Sequence, residues 1–386
     1  MLEVWKWSTM HKATLHFGAA KTVGMQLVDS IAHASTEPPI HFNTGETDTV
    51  FLEWACVHRW LGILWSADLV FLADLMEKTA KGSAITARIA SMIRYDGLPI
   101  SYALEMFEMK VEGMLKFSKW CWVSIPSLEE LLDDAYHKWA RMLLLADKWK
   151  NAGVIRGELG WSLSGYGRFL CDMASMLGKV LAAEDWYGSM VKATRHHPGC
   201  WVQQVESRLT AWNVPRPTLP VSLDYGESAK SIITQACIAK WSDIAATSTL
   251  IPRYALFQSR PVSWFPRPHP DPWSWGTLKD LIYYARFRTG QIELRHVNGR
   301  RTWAIDAPCI FCQRLVRRNV SHTLGHCSAF SDWRANFFNC RACHPEPGDN
   351  IAVFILQTCE SDAAFPTLVA WCRHIGMSAE SFWASQ

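Results

Sequence analysis

Hydrophobic and polar positions fall into helical periods over the middle of this chain and into short, broken runs at both ends. Leu15–Phe17 and Val23–Val28 read as strands around Gly18-Ala19-Ala20-Lys21-Thr22, residues 33–48 as a turn-rich loop, and Val57–Leu64 as one more strand with a tight Gly62. From Leu72 the period lengthens. Leu72, Met76, Ala80, Ala84, Ala87, Ala90 and Ile93 fall near one face of a helix, with Glu77, Lys78, Lys81 and Arg88 elsewhere, until Gly97-Leu98-Pro99 breaks it. A second helix is expected over Ser101–Phe117. The clearest one follows Pro126, where Leu128, Leu131, Leu132, Ala135, Trp139, Met142, Leu143 and Ala146 recur at i, i+3/4 and i+7. That predicts about six turns, with Ser127 and Glu130 spaced as a capping box. Another helical stretch covers Tyr166–Glu184. Asn213–Pro220 reads as a stiff linker, and the six prolines between Pro252 and Pro272 as an extended connector. A short helix over Thr277–Arg288 and a small helical tail over 346–386 complete the pattern. The expected fold is mainly α with small β elements.

Composition changes this picture in three places. The 386 residues carry a net charge of only +3, so the chain as a whole is not a polybasic binder. No run of about 18 uncharged apolar residues occurs. The best stretch, Phe51–Met76, is interrupted by Glu53, His58, Arg59, Asp68 and Asp74. The charged N-terminal sequence and the sparse cysteines point to an intracellular, nuclear or cytoplasmic protein with reduced thiols and no membrane partner. The 21 tryptophans are spread along the whole chain and serve either as core or as base-stacking groups.

Charge is concentrated locally. Arg286, Arg288, Arg295, Arg300, Arg301, Arg314, Arg317 and Arg318 stand against Glu293 and Asp306, a local charge of +6. All the cations are arginine, which binds phosphate bidentately and stacks on planar groups. Overlapping the end of this stretch lies Cys309-x2-Cys312-x9-His322-x4-Cys327. A Cys-x2-Cys turn sets two thiolates on one side of a tight loop, and His322 and Cys327 complete four soft or borderline ligands for a closed, structural Zn²⁺ site. His326 is an alternative to His322, and Cys340 and Cys343 an alternative pair in an all-cysteine set. Cys56, Cys121, Cys171, Cys200, Cys237, Cys359 and Cys372 read as core residues. Phe311, Trp303, Phe330 and Trp333 beside the arginines give the make-up of a nucleic-acid contact.

Catalytic motifs fail one by one. Lys21-Thr22 lacks the glycine of a phosphate loop, Gly160-Trp-Ser162-Leu-Ser164 misses a nucleophile elbow, and Gly165-Tyr-Gly167 is half a dinucleotide fingerprint. Asp133 and Asp134 read as solvent-facing acids near a helix start.

The order of the pieces resembles the C-terminal part of a non-LTR (LINE-like) retrotransposon reverse transcriptase. The likeness runs from Leu15-His-Phe-Gly-Ala-Ala-Lys21-Thr22-Val-Gly-Met25 through His58-Arg-Trp60-Leu61-Gly62-Ile63, the helices of Leu72–Trp149 and Arg156-Gly-Glu158-Leu159-Gly160-Trp161, to Arg286-Phe-Arg288-Thr-Gly290 and the Cys/His cluster. It implies a partial palm edge over 1–66, a helical thumb over 67–212, a Pro-rich connector over 213–275, an Arg-rich zinc knuckle over 276–345 and a helical tail over 346–386. It also implies that Trp60, Leu61 and Gly62 support a primer end, that Lys21 sits near the triphosphate, and that Lys78, Lys81 and Arg88 track a duplex. The family's Mg²⁺-binding aspartates are expected before Lys21, and the twenty residues there contain none. RNA or DNA binding without polymerisation is therefore expected, with Mg²⁺ relevant only if an upstream polymerase segment supplies the palm. The competing expectation is a zinc-stabilised helical protein-interaction module.

Overall fold

In the computed structural model, the residues described are 40–43, 49–52, 57–146, 152–222, 224–246, 294–297, 300–303, 309, 311–314, 321–341 and four isolated positions further on. The fold is mainly α with small β elements. Lys21, Arg286, Arg288, Arg317, Arg318, the 252–272 proline segment and the expected helix at Thr277–Arg288 lie outside these residues.

Three two-stranded antiparallel hairpins make up the described β structure: β1 (Ile40–Asn43) with β2 (Thr49–Leu52), β3 (Val57–Trp60) with β4 (Ile63–Ser66), and β5 (Leu294–Val297) with β6 (Arg300–Trp303). β1 falls inside the stretch expected to be loop. The single strand expected over Val57–Leu64 is instead a hairpin folded at Leu61-Gly62, where Trp60 pairs with Ile63. Both turn residues have positive φ, 48° at Leu61 and 79° at Gly62. Glycine adopts this freely, whereas a leucine there costs about 1–2 kcal/mol.

The hairpin is held by α1 (Leu72–Ser91). Asp74 accepts the Leu64 N–H at 2.9 Å, Glu77 pairs with Arg59, and the Lys78 ammonium donates to the Gly62 carbonyl at 2.9 Å. These bonds explain why the buried face of α1 is not the one the hydrophobic pattern gives. Asp74, Leu75, Lys78, Gly82, Thr86 and Ile89 point inward, while Leu72, Met76, Ala80, Ala84 and Ala87 face solvent. Buried polar groups are tolerated when bonded, and Asp74 also accepts the Trp122 indole N–H at 2.9 Å. Lys78 is therefore a structural cation, not a duplex-tracking one. Lys81 is exposed and paired to Glu77, and Arg88 is exposed.

A widened π turn (Met92–Asp96) ends α1. The expected Ser101–Phe117 helix is α2 (Ile100–Phe107), a π turn (Glu108–Glu112) and α3 (Gly113–Ser118), followed by a 3₁₀ stretch (Lys119–Ser124). α4 (Leu128–Leu143) buries Leu128, Leu132, Tyr136, Trp139, Ala140 and Leu143, close to the predicted stripe, but it is 16 residues long and stops before Ala146. Ser127 makes no side-chain cap bond, so the capping box is not formed. α5 (Ala152–Leu159), α6 (Gly165–Ala182), α7 (Trp186–Thr194) and α8 (Trp201–Thr210) follow.

The start of α6 is a tight junction. Ser164 caps it by accepting from the Gly167 N–H, and Asp133 accepts from the Tyr166 N–H at 2.8 Å. Asp133 is thus a half-buried cap rather than a solvent-facing acid. A Cβ at Gly165 would stand 2.5 Å from the Tyr136 ring and one at Gly167 2.5 Å from the Cys237 sulfur.

The linker expected after 212 does not end the packed core. Val214 and Pro217 are buried, and α9 (Tyr225–Ala246) lies against α6 with Ala229, Ile233, Cys237 and Trp241 buried. One hydrophobic cluster runs from Ile63 to Cys237. A buried ionic group is embedded in it. Glu112 accepts from Tyr136 Oη at 2.6 Å, Lys119 at 3.2 Å and Arg168 at 3.1 Å, and Lys119 also reaches Asp172 at 2.8 Å. Among the described residues, no helix is long and apolar enough to cross a membrane.

Candidate metal centre

The Cys-x2-Cys segment folds into a knuckle because its backbone bonds close on themselves. The Gln313 N–H donates to the Cys309 carbonyl at 2.8 Å and the Cys309 N–H to the Arg314 carbonyl at 2.9 Å. Gln313 takes a positive φ of 57°, which turns the chain directly after the second cysteine. The other two candidate ligands come from a π turn (Ser321–His326) and the residue after it. The Cys327 N–H donates to the His322 carbonyl at 2.7 Å and draws their side chains to one side. Behind them, α10 (Ser331–Arg341) sends Arg334 back to the Leu324 and Cys327 carbonyls, the latter at 2.7 Å.

This brings the thiols of Cys309, Cys312 and Cys327 and a ring nitrogen of His322 within 4.8 Å of one another. Cys309 Sγ lies 3.9 Å from Cys327 Sγ, and Cys312 Sγ lies 3.5 Å from His322 Nε2. A disulfide needs about 2.05 Å, so 3.9 Å is not one, and all three cysteines are free. The edges of a zinc tetrahedron follow from its bond lengths. With Zn–S of about 2.3 Å and Zn–N of about 2.05 Å, S···S is about 3.8 Å and S···N about 3.6 Å. The donor set and its spacing therefore fit a closed four-ligand metal site. Cys309, Cys327 and His322 are buried and Cys312 half-buried.

The packing of these thiols sets their ionisation. Burial pushes the Cys327 thiol up to about 12, with Cys309 beside it adding to the rise. Burial also opposes ionisation of Cys312, but the Arg314 backbone N–H and the neighbouring thiols bring it below the ordinary thiol range. Clustered thiols of this kind are held as thiolates together only by a cation. The helical domain's cysteines differ. Burial, with Asp74 adding to it, pushes Cys121 up to about 12, and burial, with Cys237 and Asp172 adding to it, does the same for Cys171, as for inert core thiols. Cys200 is half-buried and caps α8, its sulfur accepting from the Gln203 N–H at 3.4 Å.

The other predicted site residues that are described lie on several elements. His326 is exposed and stands outside the four-ligand group, and Cys343 is outside the described residues. Arg295, Arg300 and Arg301 lie on the β5–β6 hairpin, where His296 pairs with Arg301 and Val297 with Arg300. Arg314 is exposed on the knuckle. Leu61 is exposed at its hairpin tip beside Gly62, and Trp60 ends β3.

Phe311, Phe330 and Trp333, three of the aromatics expected to stack on bases, pack against other aromatic rings. Phe311 meets Phe330 edge-on at 5.0 Å, Phe330 meets Trp371 at 5.4 Å, and Trp333 stacks between Phe337 at 5.3 Å and Trp371 at 4.1 Å. They form a small core beside the ligands. Trp371 and Arg334 were missed in the sequence. The only local signal for Arg334 is its place seven residues after Cys327, and Trp371 carries none.

No protein-family model, no curated protein and no solved structure matches the chain.

Proposed function

We propose that this chain is a nucleic-acid-binding protein whose C-terminal, arginine-rich module is pinned by a structural zinc ion. The observation that carries the reading is the convergence of Cys309, Cys312, His322 and Cys327 at tetrahedral spacing at the end of a stretch of net charge +6. Zinc there organises the fold and does no chemistry, because four protein ligands leave no place for substrate or water. Arg295, Arg300 and Arg301 on one hairpin and Arg314 on the knuckle would neutralise phosphates, with Arg286, Arg288, Arg317 and Arg318 extending the basic stretch in sequence. The resemblance to the C-terminal part of a LINE-like reverse transcriptase supports RNA or DNA as the ligand. In that reading the helical domain is thumb-like, the Leu61-Gly62 tip lies near a primer end, Lys21 belongs to the palm edge, and Mg²⁺ enters only with an upstream polymerase segment. The protein then works inside the cell.

The test is binding of the zinc-loaded full chain to single-stranded RNA and DNA over a series of salt concentrations. Log affinity is expected to fall linearly with log salt. Arg300→Ala with Arg301→Ala is expected to make the slope shallower by about one unit for each phosphate no longer neutralised. Affinity independent of salt, or unchanged in the double variant, overturns it.

One observation favours a second reading, a zinc-stabilised protein-interaction module. Phe311, Phe330 and Trp333 are packed on one another and on Trp371, not presented to a base. Salt-independent binding with intact zinc dependence would select that reading.

A further inference from the structure

The helical domain carries a second basic site, far in sequence from the arginine cluster. The ends of α1 and α4 enclose a cavity of about 500 Å³, within the range of small-molecule sites. Arg94, Lys138 and Arg141 line it, together with Tyr95, Met142 and Ala87. Among the described residues that line it, none is acidic. Arg94 and Lys138 are exposed, and Tyr95 is 74% exposed, so a large aromatic ring stands open to solvent beside the cations.

Cations at helix C-termini ordinarily complement the dipole or bond the last carbonyls. Here the chain caps both ends itself. The Met92 carbonyl receives the Gly97 and Leu98 N–H groups, and the Arg141 carbonyl receives the Ala146 N–H at 2.8 Å. Arg94 and Lys138 are thus not needed as caps. The π turn at Met92–Asp96 puts Arg94 and Tyr95, adjacent in sequence, at the same opening, and such turns are frequent at functional sites. Lys138 and Arg141, one helical turn apart on α4, face them. Cations from two elements meeting over one apolar floor suit a compact polyanion with a planar body better than an extended strand, which needs a track of charges.

We propose that this groove binds a free nucleoside phosphate, with the base against Tyr95 and Met142 and the phosphates among Arg94, Lys138 and Arg141. The experiment is calorimetric titration of the zinc-loaded full chain with ATP, compared with adenosine, inorganic triphosphate and a single-stranded oligonucleotide. ATP is expected to bind saturably at one site and more tightly than either adenosine or triphosphate. Tyr95→Ala is expected to weaken it at least about fivefold, the lower end of a stacking contact. Arg94→Ala with Lys138→Ala is expected to weaken it about tenfold or more. All three side chains are exposed, so the melting temperature checks that the fold is kept. Arg300→Ala with Arg301→Ala is expected to leave ATP binding unchanged, which separates this site from the basic zinc module. The proposal is overturned by no saturable ATP binding, by triphosphate binding as tightly as ATP, by Tyr95→Ala having no effect, or by an oligonucleotide displacing ATP with the same residue dependence and higher affinity.

Discussion

The helical domain and the Cys/His module solve the same problem with different means. The first spans Ile63–Cys237 with a continuous apolar cluster large enough to carry an ionic group inside it. The second surrounds four ligands with a handful of aromatics, Phe311, Phe330, Trp333, Phe337 and Trp371. The core described there is small, and a metal held by the four ligands would supply stability that its burial does not. With metal bound, one region would stand on burial and the other on coordination, and the two should fail under different insults.

The largest expected effect breaks them apart. Chelation, or Cys309→Ser, should unfold the C-terminal module, since structural zinc contributes about 10–16 kcal/mol in small domains. The helical domain should melt unchanged, which calorimetry with and without chelator will read as loss of one transition. A single transition lost as a whole would merge the two regions into one cooperative unit. Metal uptake should also release protons, and so weaken as pH falls.

The converse insult is Glu112→Gln. It removes the carboxylate that Lys119, buried to 1% exposure, shares with Arg168, and leaves Lys119 only its bond to Asp172 among the described residues. Removing one partner of a buried pair costs about 3–5 kcal/mol. Denaturant unfolding should show this in the helical domain, while zinc stoichiometry stays at one.

A smaller effect is tuned by pH. Burial is the main cause that lowers His137 from an ordinary 6.5 to about 4, with Arg141 adding to it. The unfolded chain then binds a proton that the folded chain refuses. Stability from this residue is complete above pH 6.5 and declines as pH falls from 6.5 to about 4. His137→Gln should flatten urea midpoints across that window and leave the zinc module's pH response intact.

The smallest is Leu61→Asn, which relieves a leucine at φ 48°. A gain of about 1 kcal/mol in the helical domain is expected, and no gain would mean that the Lys78 bond to Gly62 already compensates for the strain.

What the sequence made legible follows the same division. The metal ligands span 19 positions, from Cys309 to Cys327, and their spacing is a local property. The stripe of α4 was visible because large apolar residues repeat along it. The face of α1 was not, because its inward positions hold Asp74, Lys78 and Thr86, whose partners on β3–β4 and Trp122 are remote in sequence. The helix Tyr225–Ala246 was hidden for another reason. Its buried stripe is Ala229, Ile233, Cys237 and Trp241, one residue per turn and partly small, between two proline-rich stretches. The aromatics of the module were recognised as residues but not as each other's neighbours, since Trp371 lies 38 positions beyond Trp333.

Gly165-Tyr166-Gly167 looked like half of a cofactor fingerprint and is a joint with no spare volume. A methyl group at either glycine would enter Tyr136 or Cys237, and the Leu132 carbonyl lies 2.6 Å from the first. Lineages descended from this protein can drift across the exposed faces of α1 and α7, yet at these two positions any side chain must displace a neighbouring ring, a sulfur or a main-chain oxygen. The pair should therefore outlast most of the surface as kinship fades. A search for distant kin is best anchored on Ser-Gly-aromatic-Gly with an aspartate about thirty residues before it, rather than on overall similarity.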